Sequence, residues 1–306
     1  MLGSVRTAVK YTVRPFVPRW AVRRARTVGE DVRLWPLQLA WNSASGPDYL
    51  GRSELEALQP KYPFRRAYRY DADSVLQRGA ERADELLGGA GGRDAQTFLE
   101  IACSDGMVSA LLRRAGRSAT AVDLSAREFD SRARDAGVRL LEMDASDLRF
   151  DDETFDYAFS YNSFEHFQQP ARVLDEMIRV LRPGGHLYLS FGPLYDSPWG
   201  EHAYRTITVP YCQFLFPLEL MNEYAADHGL GRIRPDHVNR WPTSRYRTLW
   251  KEAEDRLERL HYLEHRDLSC LDLLKTYPSC FRKRSPRVTA FVVSQITVLF
   301  RKRRIR

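Results

Sequence analysis

Hydrophobic and polar positions follow strand and helix periods in residues 97–125. An apolar run ends at Glu100, passes through small residues and resumes at Met107, after which apolar side chains recur with helical spacing. This pattern predicts a buried strand, a tight turn and the N-terminus of a helix. A second apolar run stops at Asp123, 23 residues after Glu100, where an acid at a strand end can accept hydrogen bonds from ribose hydroxyls. Residues 97–125 are therefore predicted to form half of a binding site for a nucleotide-like ligand.

Weaker patterns predict further elements on both sides of this unit. Residues 73–87 place apolar side chains on one side of a helix, and residues 88–92 are rich in glycine, as at a helix end. Residues 35–70 are rich in aromatic residues and prolines without a clear period, so this segment is predicted to wrap the domain or cover a ligand. Further helices are predicted at 216–228 and 243–257, and strands at 259–265 and 292–301.

The turn after the first strand bears on the kind of ligand. Folds that bind dinucleotides need glycine at three positions of this turn, so that a pyrophosphate can approach the backbone. Here the three positions hold Ala102, Ser104 and Gly106. Glu100 and Asp105 add carboxylates, which repel a pyrophosphate but suit a ligand with an ammonium group and no phosphate. S-adenosylmethionine is a ligand of this kind.

The segment Glu100-Ile-Ala-Cys-Ser-Asp-Gly106 resembles a loop of the class I S-adenosylmethionine-dependent methyltransferases, in particular their small-molecule branch. That family carries an acid and three alternating glycines after its first strand. Ala102 and Ser104 depart from this pattern, which tightens the space for the methionine part of the cofactor.

The resemblance continues in order along the chain. Residues 140–145 look like the third strand, with Asp144 placed to accept from the adenine amino group and Ala145 to donate its backbone amide to the ring. Residues 155–166 look like the fourth strand with the loop beneath the sulfonium, and residues 170–181 look like the next helix. Residues 176–185 carry an Arg-Pro-Gly-Gly signature, and residues 186–191 look like the fifth strand.

The resemblance covers about residues 94–193 and implies a fold, a cofactor and a set of binding residues. The fold is α/β, a doubly wound, mostly parallel seven-stranded sheet of the Rossmann-like methyltransferase type with its last strand antiparallel. The cofactor is S-adenosyl-L-methionine. The residues implied to bind it are Glu100, Ala102, Cys103, Ser104, Gly106, Asp123, Leu124, Asp144, Ala145, Ser160 and Tyr161.

Length and composition fit one domain with additions. A chain of 306 residues with 43% hydrophobic residues can bury one generous core. We expect a basic and aromatic N-terminal extension at residues 1–70 and a methyltransferase domain at residues 71–306. Residues 192–202 leave the carboxyl end of the fifth strand, where open α/β sheets place substrates. A substrate-side insertion is therefore predicted at about 193–241.

Positive charge is concentrated at the two ends of the chain. Residues 1–28 hold seven basic side chains and no acid, and residues 301–306 hold five basic side chains. Because the net charge of the whole chain is +7, the segment between them has a net charge of −5. One interpretation of the basic N-terminal segment is that it binds an anionic membrane surface or a polyanion. The alternative is a solvated arginine-rich extension. The apolar stretch at residues 290–300 spans about 11 residues, whereas a bilayer needs roughly 20.

The four cysteines lie far apart without paired spacing. Neither a disulfide framework nor a zinc knuckle is predicted, and a cytoplasmic location is expected, with peripheral membrane contact as the alternative. His261 and His265, with Cys270 and Cys280 downstream, lack a defined tetrahedral spacing, so no metal site is predicted.

Methyl transfer to a hydroxyl acceptor requires a base of near-neutral pKa, and histidine is the obvious type. His202, in the aromatic segment after the fifth strand, is the preferred catalytic candidate. His166, in the loop after the fourth strand, is the second; alternatively it lines the cofactor pocket or makes a hydrogen bond at a helix start. Further candidates are Tyr161, Glu165, Tyr195 and Tyr204.

The loop after the fourth strand indicates which class of methyl acceptor to expect. Enzymes that methylate base nitrogens usually carry an Asn/Asp-Pro-Pro-aromatic tetrad there, whereas this chain has Ser160-Tyr-Asn-Ser163, so no nucleic-acid partner is expected despite the positive charge. We expect O-methylation of a small-molecule, sugar or lipid-linked acceptor. A catalytically silent cofactor-binding or partner subunit and a peripheral membrane protein are the alternatives, and no oligomeric state is predicted.

Overall fold

A seven-stranded sheet organises the computed structural model, which describes residues 19–63 and 69–304, with side chains from residue 31 onward. The strands are β1 (Thr97–Ile101), β2 (Ser118–Asp123), β3 (Arg139–Glu142), β4 (Phe155–Tyr161), β5 (Leu181–Phe191), β6 (Leu257–Arg266) and β7 (Val293–Lys302). They lie in the order β3-β2-β1-β4-β5-β7-β6. The first five pair in parallel, and β7 runs antiparallel to β5 and β6. The predicted fold class is confirmed.

Helices cover both faces of the sheet. In the described residues they are α1 (Arg19–Asn42), α2 (Arg52–Leu58), α3 (Ala72–Asp84), α4 (Met107–Arg114), α5 (Ser131–Asp135), α6 (Pro170–Val180), α7 (Cys212–Leu215), α8 (Leu218–Asp227), α9 (Thr243–Glu252), α10 (Leu271–Thr276) and α11 (Pro278–Arg282). α3, α4 and α5 supply buried side chains to one face, and α6 and α9 to the other. Because both faces are covered, β1, β4 and the second half of β5 are buried at nearly every position.

A further core lies beyond the carboxyl ends of β4 and β5. It joins buried side chains of α1 and α2 to those of residues 203–224 and 270–292, and we call these four segments the cap. Trp41 of α1 packs against Phe281 and Phe291, with ring centroids 5.9 and 5.5 Å apart. Two of its segments reach this edge because residues 203–224 follow β5 and residues 270–292 lie between β6 and the antiparallel β7, whereas α1 and α2 come from before β1.

Part of residues 35–70 is helical, whereas no regular secondary structure was predicted there. α1 continues to Asn42 and α2 follows. Leu34, Leu37 and Trp41 are buried on one side of α1, whereas Trp35 and Leu39 are exposed. These exposed apolar side chains interrupt the periodic pattern, so the sequence alone does not reveal the helix.

Other expectations have mixed outcomes. The helix predicted at 243–257 ends at Glu252, and β6 takes over from Leu257. α10 and α11 were not predicted. All four cysteines are buried and free, as expected. In the described part of the chain no helix has both the length and the apolar character for crossing a bilayer. The basic residues before Arg19 lie outside the described residues, and the boundary after residue 70 stays a prediction.

Candidate active site

The turn between β1 and α4 takes a left-handed backbone at all three of its small positions. Ala102, Ser104 and Gly106 have φ values of 54°, 53° and 74°. A Cβ on Gly106 would lie 2.8 Å from Leu140 Cδ2 and force that side chain to move. Ala102 and Ser104 hold the same conformation with a Cβ, which costs about 1 kcal/mol each. The backbone therefore keeps a glycine-type turn although two of the glycines are absent.

Replacing Ala102 with glycine is expected to stabilise the protein by about 1 kcal/mol, because it relieves this strain. The melting temperature should rise by about 2 °C. The matched control is Ala110→Gly, inside α4, where glycine is expected to destabilise by about 1 kcal/mol. Urea unfolding of both variants measures the two effects, and a destabilised Ala102→Gly protein would contradict the strain.

Glu100 lies beneath the turn. It is only 4% exposed, and its Oε2 accepts hydrogen bonds from the Ser109 backbone N at 3.1 Å and from Ser109 Oγ at 2.6 Å. Burial raises the pKa of Glu100 to about 7. The structure thus places this carboxylate against α4, where it braces the start of that helix, and not on the surface that would meet a cofactor.

Asp123 closes β2 beside the turn. Its Oδ2 accepts from the Ser104 backbone N at 2.8 Å, and its Oδ1 from Ser125 N at 3.4 Å. Ser104 Oγ also donates to Glu128 Oε2 at 2.6 Å. A carboxylate has about four acceptor positions, so Asp123 keeps capacity for a ribose hydroxyl. The next residue, Leu124, is 71% exposed and offers an apolar surface at the same edge.

The residues after β3 supply one accessible side chain. Asp144 is exposed, and its Oδ1 accepts from the backbone N and the Oγ of Ser146, both at 2.8 Å. Ala145 and Cys103 are buried, and burial raises the pKa of the Cys103 thiol. Any contact of these two residues with a cofactor therefore comes from their backbone.

The predicted side chains at the end of β4 face the protein. Ser160 Oγ donates to the Ile101 carbonyl at 2.9 Å and so ties β4 to β1. The Tyr161 hydroxyl lies 2.8 Å from Glu85 Oε2, with the Arg82 guanidinium 4.5 Å from the ring centroid. Their side chains thus support the sheet rather than line a crevice.

Ser163 links the loop after β4 to the cofactor turn. Its Oγ donates to the Tyr161 carbonyl at 2.9 Å and also lies 3.4 Å from the Ala102 carbonyl oxygen, so it contacts the turn between β1 and α4, which we call the cofactor turn. This residue was not among the predicted binding residues, because only the folded loop brings it against the turn. His166, three residues further on, is thereby held near the same edge of the sheet.

Three histidines converge there from three loops. His166 follows β4, His202 lies in the segment after β5, and His237 precedes α9. The ring centroid of His166 lies 4.7 Å from that of His202 and 4.9 Å from that of His237. The sequence analysis missed His237, since a lone histidine in a loop has no spacing signal.

Backbone carbonyls orient two of these imidazole rings. His166 Nδ1 donates to the His237 carbonyl at 2.7 Å, and His202 Nε2 donates to the Pro193 carbonyl at 2.9 Å. Because a carbonyl oxygen can only accept, the bonded nitrogen of each ring carries a proton, and in the neutral ring the other nitrogen has a free lone pair. Burial lowers the pKa of His166 and His237, and lowers that of His202 to about 3. The predicted catalytic histidines are brought together, but as weak bases.

Hydrogen bonds fix the His237 loop against the loop after β4. Asn239 N donates to the Glu165 carbonyl at 2.9 Å, and Asn239 Nδ2 to the Phe164 carbonyl at 3.0 Å. Gln168 Nε2 donates to the Asp236 carbonyl at 2.9 Å. Hydrogen bonds therefore join two of the three loops that carry the histidine cluster.

The residues at the edge fit S-adenosylmethionine. The left-handed turn presents its backbone, Asp123 retains acceptor capacity, and Leu124 offers an exposed apolar surface next to it. A nucleoside with a methionine chain needs these three features: an acceptor for ribose hydroxyls, an apolar contact for adenine, and a close approach to the turn. When bound, the cofactor supplies an electrophilic methyl group.

Comparisons with known proteins agree with this geometry. A sequence profile described as a methyltransferase domain matches residues 99–189. The demethylmenaquinone methyltransferase of Clavibacter sepedonicus is 27% identical over 178 residues, 57% of this chain and 69% of that protein.

Two further relatives match over shorter regions. The fatty-acid O-methyltransferase of Mycolicibacterium smegmatis is 34% identical over 36% of this chain and 42% of its own length. The malonyl-[acyl-carrier protein] O-methyltransferase of Pectobacterium atrosepticum is 33% identical over 43% of this chain and 51% of its own length. The chain thus spans about half the length of these two relatives.

The strand order, the left-handed turn with Asp123 beside it and the profile match all fall on the same part of the chain. Residues 99–189 form a methyltransferase domain, and S-adenosylmethionine is its cofactor.

Proposed function

We propose that the chain is an O-methyltransferase that methylates the carboxyl group of a small or lipid-linked acid. The observation that carries this proposal is the group of imidazoles at the carboxyl edge of β4 and β5, on a loop whose Ser163 contacts the cofactor turn. Acceptors bind at this edge in open α/β sheets. A carboxylate is already ionised at neutral pH, so its methylation requires no strong base.

Arg240 supports an acidic acceptor. Its Nη2 donates to Glu201 Oε1 at 3.1 Å, and its guanidinium lies 5.5 Å from the Tyr195 ring centroid. Arg240 Nε is buried and has no hydrogen-bond partner among the described residues, and neither has the buried Oε2 of Glu201 beside it. An unpaired buried donor on a cation favours a ligand oxygen that can accept from it.

The surroundings of His202 favour an acceptor with an apolar part. A cavity of about 10 Å³, room for roughly one water molecule, lies beside this residue, and its lining includes the apolar side chains of Trp199, Ile207 and Val209. The relatives from Mycolicibacterium and Pectobacterium are named for a fatty acid and a malonyl thioester. We therefore place aliphatic acids first among candidate acceptors, ahead of sugars.

The test is transfer of a radioactive methyl group from S-adenosylmethionine by the full chain. The acceptors are a fatty acid, a malonyl thioester and a glycolipid, and Asp123→Ala serves as the cofactor-binding control. We expect label in the acids, released as methanol by mild base, as from a methyl ester. Base-stable label would instead assign a hydroxyl acceptor. Cofactor binding without transfer to any acceptor would favour a catalytically silent subunit.

A further inference from the structure

His166, His202 and His237 are spaced closely enough to share one metal ion. One ring nitrogen of each lies within 4.8 Å of a ring nitrogen of both others. Zinc bound by imidazole at roughly 2.0–2.1 Å keeps its ligands about 3.3 Å apart. Shifts of roughly 1 Å therefore bring the three nitrogens to the spacing of a tetrahedral site.

The hydrogen bonds of two rings match those of metal ligands. Histidines that bind metals almost always donate their other ring N–H to a carbonyl, a carboxylate or water, which fixes the tautomer and the ring orientation. His166 Nδ1 and His202 Nε2 donate to the His237 and Pro193 carbonyls. This leaves His166 Nε2 and His202 Nδ1 as the nitrogens with free lone pairs.

The third ring is held in place by its loop. Asn239, two residues after His237, binds the Glu165 and Phe164 carbonyls, and its Oδ1 accepts from the Tyr246 hydroxyl at 3.0 Å. Tyr246 is buried. The loop that carries His237 is thus anchored to the core, as a preorganised ligand set requires.

We propose that these three histidines bind one Zn²⁺ in a tetrahedral site whose fourth position is open. Three protein ligands plus an exchangeable fourth position are the arrangement of catalytic rather than structural zinc sites. His166 and His202 are partly exposed and His237 is exposed, so a water molecule or a ligand oxygen can reach the fourth position.

The role of the ion rests on the proposed function. The cluster lies at the edge where the acceptor binds, next to the loop that contacts the cofactor turn through Ser163. The ion holds one oxygen of the acceptor carboxyl group and leaves the other oxygen for the methyl group. The fixed ion positions an acceptor that is already ionised, so the transfer needs no base.

The test is calorimetric titration of the metal-stripped full chain with zinc chloride. We expect one ion per chain, and His237→Gln should raise the Kd about 100-fold because one of three protein ligands is lost. The control is His228→Gln, whose ring lies outside the cluster, stacked 4.0 Å from Tyr224; it should bind as the unaltered protein does. No stoichiometric binding, or unchanged affinity in His237→Gln, overturns the site.

Cobalt provides a second readout that does not depend on activity. Co²⁺ in place of zinc should give the intense visible bands of a tetrahedral complex, and these should disappear in His237→Gln. Melting curves of the metal-free variants verify that they fold. A weak octahedral spectrum in the unaltered protein would overturn the proposed geometry.

The failure of the zinc site and the failure of the proposed function are distinguishable. Stoichiometric zinc without methyl transfer to any acid leaves the site standing and rejects the function. Methyl transfer that is equally fast in the metal-free and zinc-loaded chain rejects the role of the ion. S-adenosylmethionine affinity should be equal in both forms, since the predicted cofactor contacts lie on the turn and on Asp123.

Discussion

Replacing Asp123 with alanine is expected to weaken S-adenosylmethionine binding by about 100-fold, or about 2.7 kcal/mol. The carboxylate closes β2 and accepts from Ser104 N at 2.8 Å, so its loss removes the acceptor for ribose hydroxyls and also frees the cofactor turn. Hydrogen bonds to a charged group contribute about 1.5–3 kcal/mol each. Isothermal titration calorimetry measures the affinity.

Two further variants separate these two effects. Asp123→Asn keeps an oxygen for Ser104 N but loses the charge, so its affinity should fall between those of the alanine variant and the unaltered protein. Asp151→Ala, in the exposed turn before β4, is the control and should bind normally. Unchanged affinity in Asp123→Ala would remove this residue from the cofactor site.

Replacing Glu100 with glutamine is expected to stabilise the protein at pH 8 by about 2–3 kcal/mol. Burial raises the pKa of Glu100 to about 7 from the ordinary value of 4.5, a gap worth roughly 3 kcal/mol. The folded state holds this proton more tightly than the unfolded state does. The contribution of Glu100 to stability is therefore fully present below about pH 4.5 and is lost as the pH rises to about 7.

The measurement is the free energy of urea unfolding between pH 4.5 and pH 8. The stability of Glu100→Gln relative to the unaltered protein should rise with pH and level off above about pH 7. Glutamine still offers an oxygen to Ser109, so the contact with α4 is kept. Glu254→Gln, on an exposed side chain, is the control, and the same pH profile in both variants would contradict the assignment.

The central sheet could be predicted because its signals are local. β1 and β4 are each a short apolar run followed by a turn or loop and an amphipathic helix, and this order is visible without the structure. The acid at the end of β2 was found in the same way. The direction of Glu100 was not, because a sequence does not show whether a carboxylate turns toward a ligand or toward the next helix.

The histidine cluster could not be predicted from the sequence, for a different reason. His166, His202 and His237 come from three loops. The hydrogen bonds of Asn239 and Gln168 join the loops of His166 and His237, and the bond from Gly192 N to Glu165 Oε1 joins the segment of His202 to the loop of His166. No spacing in the chain records that contact. The same holds for the cap, where α1 packs on segments more than 150 residues away.

The composition of the cap limits how its specificity can be exchanged. Buried side chains of α1 and α2 complete the same core as residues 203–224 and 270–292, over the edge at which we propose that the acceptor binds. A chimaera that grafts only the insertion after β5 onto a related enzyme would leave half of that core without its complement. Exchange of acceptor preference between such proteins requires that all four pieces be transplanted together.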